Sequence, residues 1–127
     1  MSTTAALSAA PLNVENVLPQ IAALFLAEWK RLRQEPGNNS SAMLRSDQLI
    51  VEIRDALTTC EQTRTHTEAG FNEIKTLLDR WLELSYPRLA GQIETLLHCY
   101  VTWTDIDIVP NSSTVSVRIG LRDLPIM

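Results

Sequence analysis

Asp105 and Asp107 come closest to a ligand pair in this sequence. Residues two apart on a strand share a face, so their carboxylates could approach one hard cation such as magnesium or calcium. Two oxygens fall well short of the roughly six ligands such ions take. A solvated strand end is the plainer reading, and no metal or other cofactor is assigned. His98 beside Cys99 suggests a thiolate and imidazolium pair, but if the following strand already begins there, neighbours point to opposite faces, which separates the two groups. His66 lies in the polar stretch 63–67 and reads as exposed. Trp29 and Trp81 fall at apolar helical positions and read as core, whereas Trp103 either caps the core or stands out as an interface anchor. Four scattered glycines form neither a GxGxxG nor a Walker loop, which excludes nucleotide binding through those motifs.

These residues sit in a chain of 127, long enough for one domain with a real core and too short for two ordinary ones. Apolar residues make up 45% and charged residues 20%, a globular balance. Eleven Lys and Arg against fifteen Asp and Glu give a net charge of −4, which argues against a protein that grips many phosphates. No nucleic-acid partner is expected. The longest apolar run, 21–27, is far below the roughly twenty residues a membrane span requires. No membrane insertion is expected either. The first basic residue is Lys30, so the basic start of a secretory signal is missing, and Cys60 and Cys99 read as reduced thiols in a cytoplasm.

The elements that must position these groups follow from periodicity. Residues 1–13 are rich in Ser, Thr and Ala and lack charge, and they read as a mobile arm. Leu18, Ile21, Phe25, Trp29 and Leu32 then recur at intervals of three and four, a helical stripe with Asn16 as its N-cap and Pro19 in its first turn. Leu24 and Leu26 widen that stripe, so this helix either lies deep or shares a second face with another chain. Glu35 to Ser40 are its stop. A hairpin follows over 42–45 and 48–57, turning near Ser46 and Asp47. Thr58 and Glu61 have capping-box spacing, opening a helical region that runs through Gly70 to about Leu84. Ser85-Tyr86-Pro87 should interrupt it before a second piece over 88–97, in which Gly91 lets another backbone come close. Strands over 100–109 and 115–121 complete the chain. Ile106 and Ile108 alternate out of phase with Val101 and Trp103, which a bulge would reconcile.

The stretch Asp47-Gln48-Leu49-Ile50-Val51-Glu52-Ile53, then Ala56-Leu57-Thr58 with Glu61, then Gly70, resembles the first half of the MpsC-like family of small bacterial proteins. Arg80, Leu82, Glu83, Tyr86-Pro87-Arg88-Leu89, Ile93-Glu94 and Leu96 resemble its central helix, and Thr104-Asp105-Ile106-Asp107 its next strand. The family is catalogued as a domain of unknown function and named for a sodium-translocating, membrane-potential-generating system. The resemblance covers about Leu18 to Asp123. Two departures stand out: Glu35-Pro36-Gly37 where family members carry Arg-Gly-Pro, and His98-Cys99 where they carry Thr-Gly. The resemblance implies a soluble accessory protein encoded near membrane cation or inorganic-carbon transport components in some bacteria, and it brings no catalytic residues.

The expected fold is therefore α+β, with helices on one face of an antiparallel sheet made of two hairpins, in the order α-β-β-α-α-β-β. A single domain over 14–123 is expected, with a tail over 124–127. The expected function is a non-enzymatic, cytoplasmic interaction module that forms a homodimer and binds a protein partner, itself membrane-associated by the resemblance. Leu24, Leu26, Trp29 and Trp103 are its candidate interface. The alternative is a sensor for bicarbonate or another small metabolite, with a pocket between helices and sheet near Tyr100, Trp103 and Arg118, and with Asp105 and Asp107 as further ligand candidates.

Overall fold

The structure, a computed structural model, describes residues 14–33 and 39–125. The expected arm over 1–13, residues 35–38 of the expected stop segment and residues 126–127 of the expected tail lie outside the described residues. Seven elements follow one another: α1 (Val14–Arg33), β1 (Asn39–Arg45), β2 (Gln48–Arg54), α2 (Thr59–Arg64), α3 (Glu68–Leu97), β3 (Tyr100–Ile108) and β4 (Val115–Arg122). The fold is α+β, and its four strands form one antiparallel sheet in the order β1-β2-β4-β3. α1 packs over β1 and β2, α3 packs over β3, and the two helices touch each other. One core results. It joins Ile21, Phe25 and Trp29 of α1, Ile74, Leu78, Trp81 and Leu89 of α3, and the inward rows Leu49, Val51, Ile53 and Val115, Val117, Ile119 of the two central strands.

Several expected boundaries shift, each for a local reason. Asn16 is not the N-cap of α1, because the helix is already under way at Val14. Pro19 consequently lies inside it, at an exposed position where water can serve the carbonyl that loses its amide partner. Asn39 and Ser40, expected in a loop, belong to β1: the Ser40 hydroxyl donates to the Ala22 carbonyl at 2.7 Å and Arg54 donates to Asn39 at 2.8 Å. β2 ends at Arg54 rather than at 57, since Asp55 turns into the left-handed region with φ 52°, and the amides of Ala56 and Leu57 then donate to the Ser113 carbonyl. The capping box at Thr58 is formed, but the helix it opens is short. Thr67 caps a separate α3 by accepting from the Gly70 amide at 3.0 Å.

α3 then runs unbroken through Ser85-Tyr86-Pro87, against expectation. Pro87 stands on the exposed side, while Leu82, Ser85 and Leu89 continue the buried stripe beneath it. The carbonyl of Glu83 that the proline leaves unbonded can therefore be met by water, and core packing carries the helix across. Gly91 is not a close-approach site, because a Cβ there would meet nothing within 4 Å. The chain leaves α3 at His98, whose left-handed conformation (φ 55°, ψ 47°) turns it into β3. β3 carries the expected bulge, a register shift between Val101 and Trp103 against β4. Beyond β4, Asp123 takes the left-handed conformation (φ 61°), and Leu124, the first residue of the expected tail, packs against the core.

Candidate functional site

The bulge decides which side chains β3 presents on each face. Before it, Val101 pairs with Leu121 and faces the helices; after it, Trp103 pairs with Gly120 and faces away, and Thr104, Ile106 and Ile108 take up the inward positions. Tyr100, Trp103, Asp105 and Asp107 thereby share the outer face of the sheet with Arg118, which stands opposite Asp105. Among the described residues no element covers this face. Its rows can be read across all four strands from the register: Arg45, Gln48, Gly120, Trp103; then Met43, Ile50, Arg118, Asp105; then Ser41, Glu52, Ser116, Asp107.

Trp103 is the centre of this surface. Its indole lies over Gly120, so closely that a Cβ on that glycine would overlap the ring, and the side chain is still 42% exposed. An aromatic laid across a cross-strand glycine is held flat without being buried, which suits a contact surface. Beside it Arg118 donates to Asp105 at 2.6 Å, and Lys75 of α3 approaches the other carboxylate oxygen at 3.8 Å from across the sheet edge. The hydrogen bond from Arg118, against some desolvation and with Lys75 assisting, holds the Asp105 carboxyl below the usual carboxylate range. At the end of the strand the Arg122 guanidinium lies 5.2 Å from the ring centre of Tyr100, a cation–π contact at an exposed position. Met43, 47% exposed, adds apolar surface on β1, at the opposite edge of the sheet.

On the flank of β3 a groove of about 390 Å³ is lined by Leu82, Glu83, Tyr86 and Pro87 of α3 and by Thr104 and Asp105 of β3, with Asp79 at its rim. Two separate elements bring these residues together here.

The remaining sequence candidates are dispersed. Trp29 is fully buried and cannot be an interface residue: it meets Trp81 edge-on at 5.0 Å between ring centres, and the Arg33 guanidinium covers it at 4.5 Å. Leu24 is half-buried in the groove between α1 and α3, next to Leu96, and Leu26 is half-buried beside β1. Tyr100, Trp103 and Arg118 stand on the outer face, not between helices and sheet where a sensor pocket would need them. Asp105 and Asp107 do share a face, but Asp105 is engaged by two cations and Asp107 accepts from the Ile108 amide at 2.8 Å. Among the described residues no three His, Cys, Asp or Glu side chains gather as metal ligands. Cys99 is buried and His98 exposed, and burial, reinforced by Glu94, pushes the Cys99 thiol up, away from the reactive thiolate. Cys60 is exposed, and both cysteines are free.

Sequence reasoning missed Glu28, which is only 5% exposed. Arg31 donates to both of its oxygens at 3.0 and 3.1 Å, and Arg88 of α3 donates to one at 3.2 Å. The bonds from Arg31 keep its carboxyl below the ordinary range despite burial. The nearby Ser85 hydroxyl, outside ordinary hydrogen-bond geometry but facing the same group, adds to that effect. The signal lay in the spacing of Glu28 and Arg31 on one helix, but nothing local announced Arg88.

Comparison of the chain with protein-family models, with curated proteins and with solved structures gives no match. Among the described residues no helix is long and apolar enough to cross a membrane.

Proposed function

We propose that this protein is a non-enzymatic interaction module that binds a protein partner through the outer face of its sheet. The observation that carries this reading is Trp103, held flat over Gly120 and half exposed among Tyr100, Arg118 and Arg122 on a face that no described element covers. Aromatic and arginine side chains are the types that most often dominate binding energy at protein interfaces. A partner segment that places an apolar side chain on Trp103 and carboxylates beside Arg45 and Arg122 fits this surface. The acidic end of the same face, with Glu52 and Asp107, disfavours a nucleic-acid strand. The resemblance to MpsC-like proteins supports a cytoplasmic accessory role beside membrane cation or inorganic-carbon transport, so the partner sought is membrane-associated.

The test is an affinity capture from native membranes and cytosol with wild-type protein and with Trp103→Ala, read by mass spectrometry. Trp103 is on the surface, so the variant should keep the wild-type circular dichroism. A membrane-associated protein retained by the wild type and lost at least tenfold in the variant is the expected result. A partner retained equally by both rejects this face, and retention of nucleic acid instead rejects the partner class.

A further inference from the structure

The two edges of the sheet are protected to different degrees. β3, at one edge, has its bulge and Lys75 of α3 lying across it. β1, at the other, is seven residues of regular pairing with no proline, no lysine and no register shift. Among the described residues no further strand pairs with β1, and edges of this kind are the ones that accept another strand. The two-residue turn at Ser46 and Asp47 makes Arg45 and Gln48 a hydrogen-bonded pair, so alternation aims the amides and carbonyls of Ser40, Ala42 and Leu44 outward from the sheet.

Along this edge runs an apolar trough between α1 and β1, about 660 Å³ in volume, floored by Ala22 and Ala42 and walled by Leu18, Pro19 and Leu26. The stripe of α1 that borders it is centred on two small residues and carries opposite charges at equal distances from that centre. The centre is the pair Ala22 and Ala23, Pro19 and Leu26 stand equally far out on either side, and the stripe ends at Glu15 in one direction and Lys30 in the other. Laid antiparallel against itself, such a stripe sets small residues against small ones at the crossing. It also sets the acidic start of each helix beside the basic end of its mate, the arrangement an isologous interface requires.

We infer that β1 pairs antiparallel with β1 of a second copy of this chain, joining two sheets into one of eight strands and closing the two α1 stripes over the junction. Leu26, half-buried in the single chain, becomes fully buried there, and the outward groups of Ser40, Ala42 and Leu44 find partners. This edge lies across the sheet from Trp103, so the dimer leaves the outer-face aromatic site open and stands or falls independently of it.

Sedimentation velocity over a concentration series up to roughly 100 µM tests the inference. The wild type should sediment as a dimer, and Ala23→Glu, an exposed helical position at the crossing, should dissociate it at least tenfold more readily with unchanged circular dichroism. Glu15→Lys and Lys30→Glu should each weaken the dimer, and the double variant should recover it, because opposite charges then face one another again. A wild type that stays monomeric throughout overturns the inference and leaves the edge to a strand from a different protein. A dimer indifferent to Ala23→Glu, or a double variant no better than the singles, overturns it as well.

Discussion

Gly120 is the residue whose identity the outer face depends on most directly. Its φ is ordinary, so the need for glycine is spatial: the Trp103 indole occupies the place of a Cβ. Gly120→Ala should push the indole off the sheet and cost about 1 kcal/mol in denaturant unfolding. The same substitution in a Trp103→Ala background should cost close to nothing, and that double-mutant cycle separates ring displacement from any intrinsic effect of alanine in a strand. Of the five outer-face candidates, the sequence showed their types and the alternation of β3. It did not show that Tyr100, Trp103, Asp105, Asp107 and Arg118 form one surface, because that depends on β4 lying beside β3 and on where the bulge falls. Trp29 illustrates the opposite failure. Its place on a widened apolar stripe was legible, but a stripe does not tell which part meets a neighbour and which part meets Trp81.

At the scale of elements, local chemistry predicted what local chemistry controls. The capping box of α2 depends on two residues three apart, and it formed as spaced. Pro87 misled because whether a proline ends a helix depends on what surrounds the freed carbonyl, and here the solvent side of α3 accommodates it. The two glycines of α3 show the same dependence and predict opposite outcomes. A Cβ at Gly91 would enter open space in a regular helix, so Gly91→Ala should stabilise the protein by about 0.5–1 kcal/mol, mainly by restricting the unfolded chain. A Cβ at Gly70 would drive into the Arg64 carbonyl at the end of α2, a backbone atom that cannot swing aside. Gly70→Ala should destabilise by about 1–3 kcal/mol, separating α2 from the start of α3. Paired thermal melts of the two variants decide both signs, and a stabilised Gly70→Ala would contradict the close approach.

For the whole molecule, three carboxylates each tie elements that are distant in sequence. Glu28 of α1 holds Arg88 of α3, Glu61 of α2 holds Arg33 of α1 through both of its oxygens, and Asp105 of β3 holds Arg118 of β4 with Lys75 of α3 nearby. All three are more acidic in the folded chain than ordinary carboxyls. For Glu28 the bonds from Arg31 outweigh burial, and for Asp105 the bond from Arg118 does so. For Glu61 burial alone would raise the value, but Arg33 and the Thr58 amide together reverse it. A carboxyl with a depressed folded pKa binds its proton more readily in the unfolded chain. Its contribution is therefore complete above the unfolded value, about 4, and is lost as pH falls through the folded value. Unfolding free energy should thus stay nearly level from about pH 7 to 5 and fall steeply below about pH 4. Glu28→Gln, which keeps the shape but not the charge, should flatten the acid limb while lowering the plateau, since Arg31 and Arg88 then face a neutral amide. Urea titrations of both proteins across that range measure the slopes directly, and equal slopes would show that the α1–α3 carboxylate does not govern acid stability.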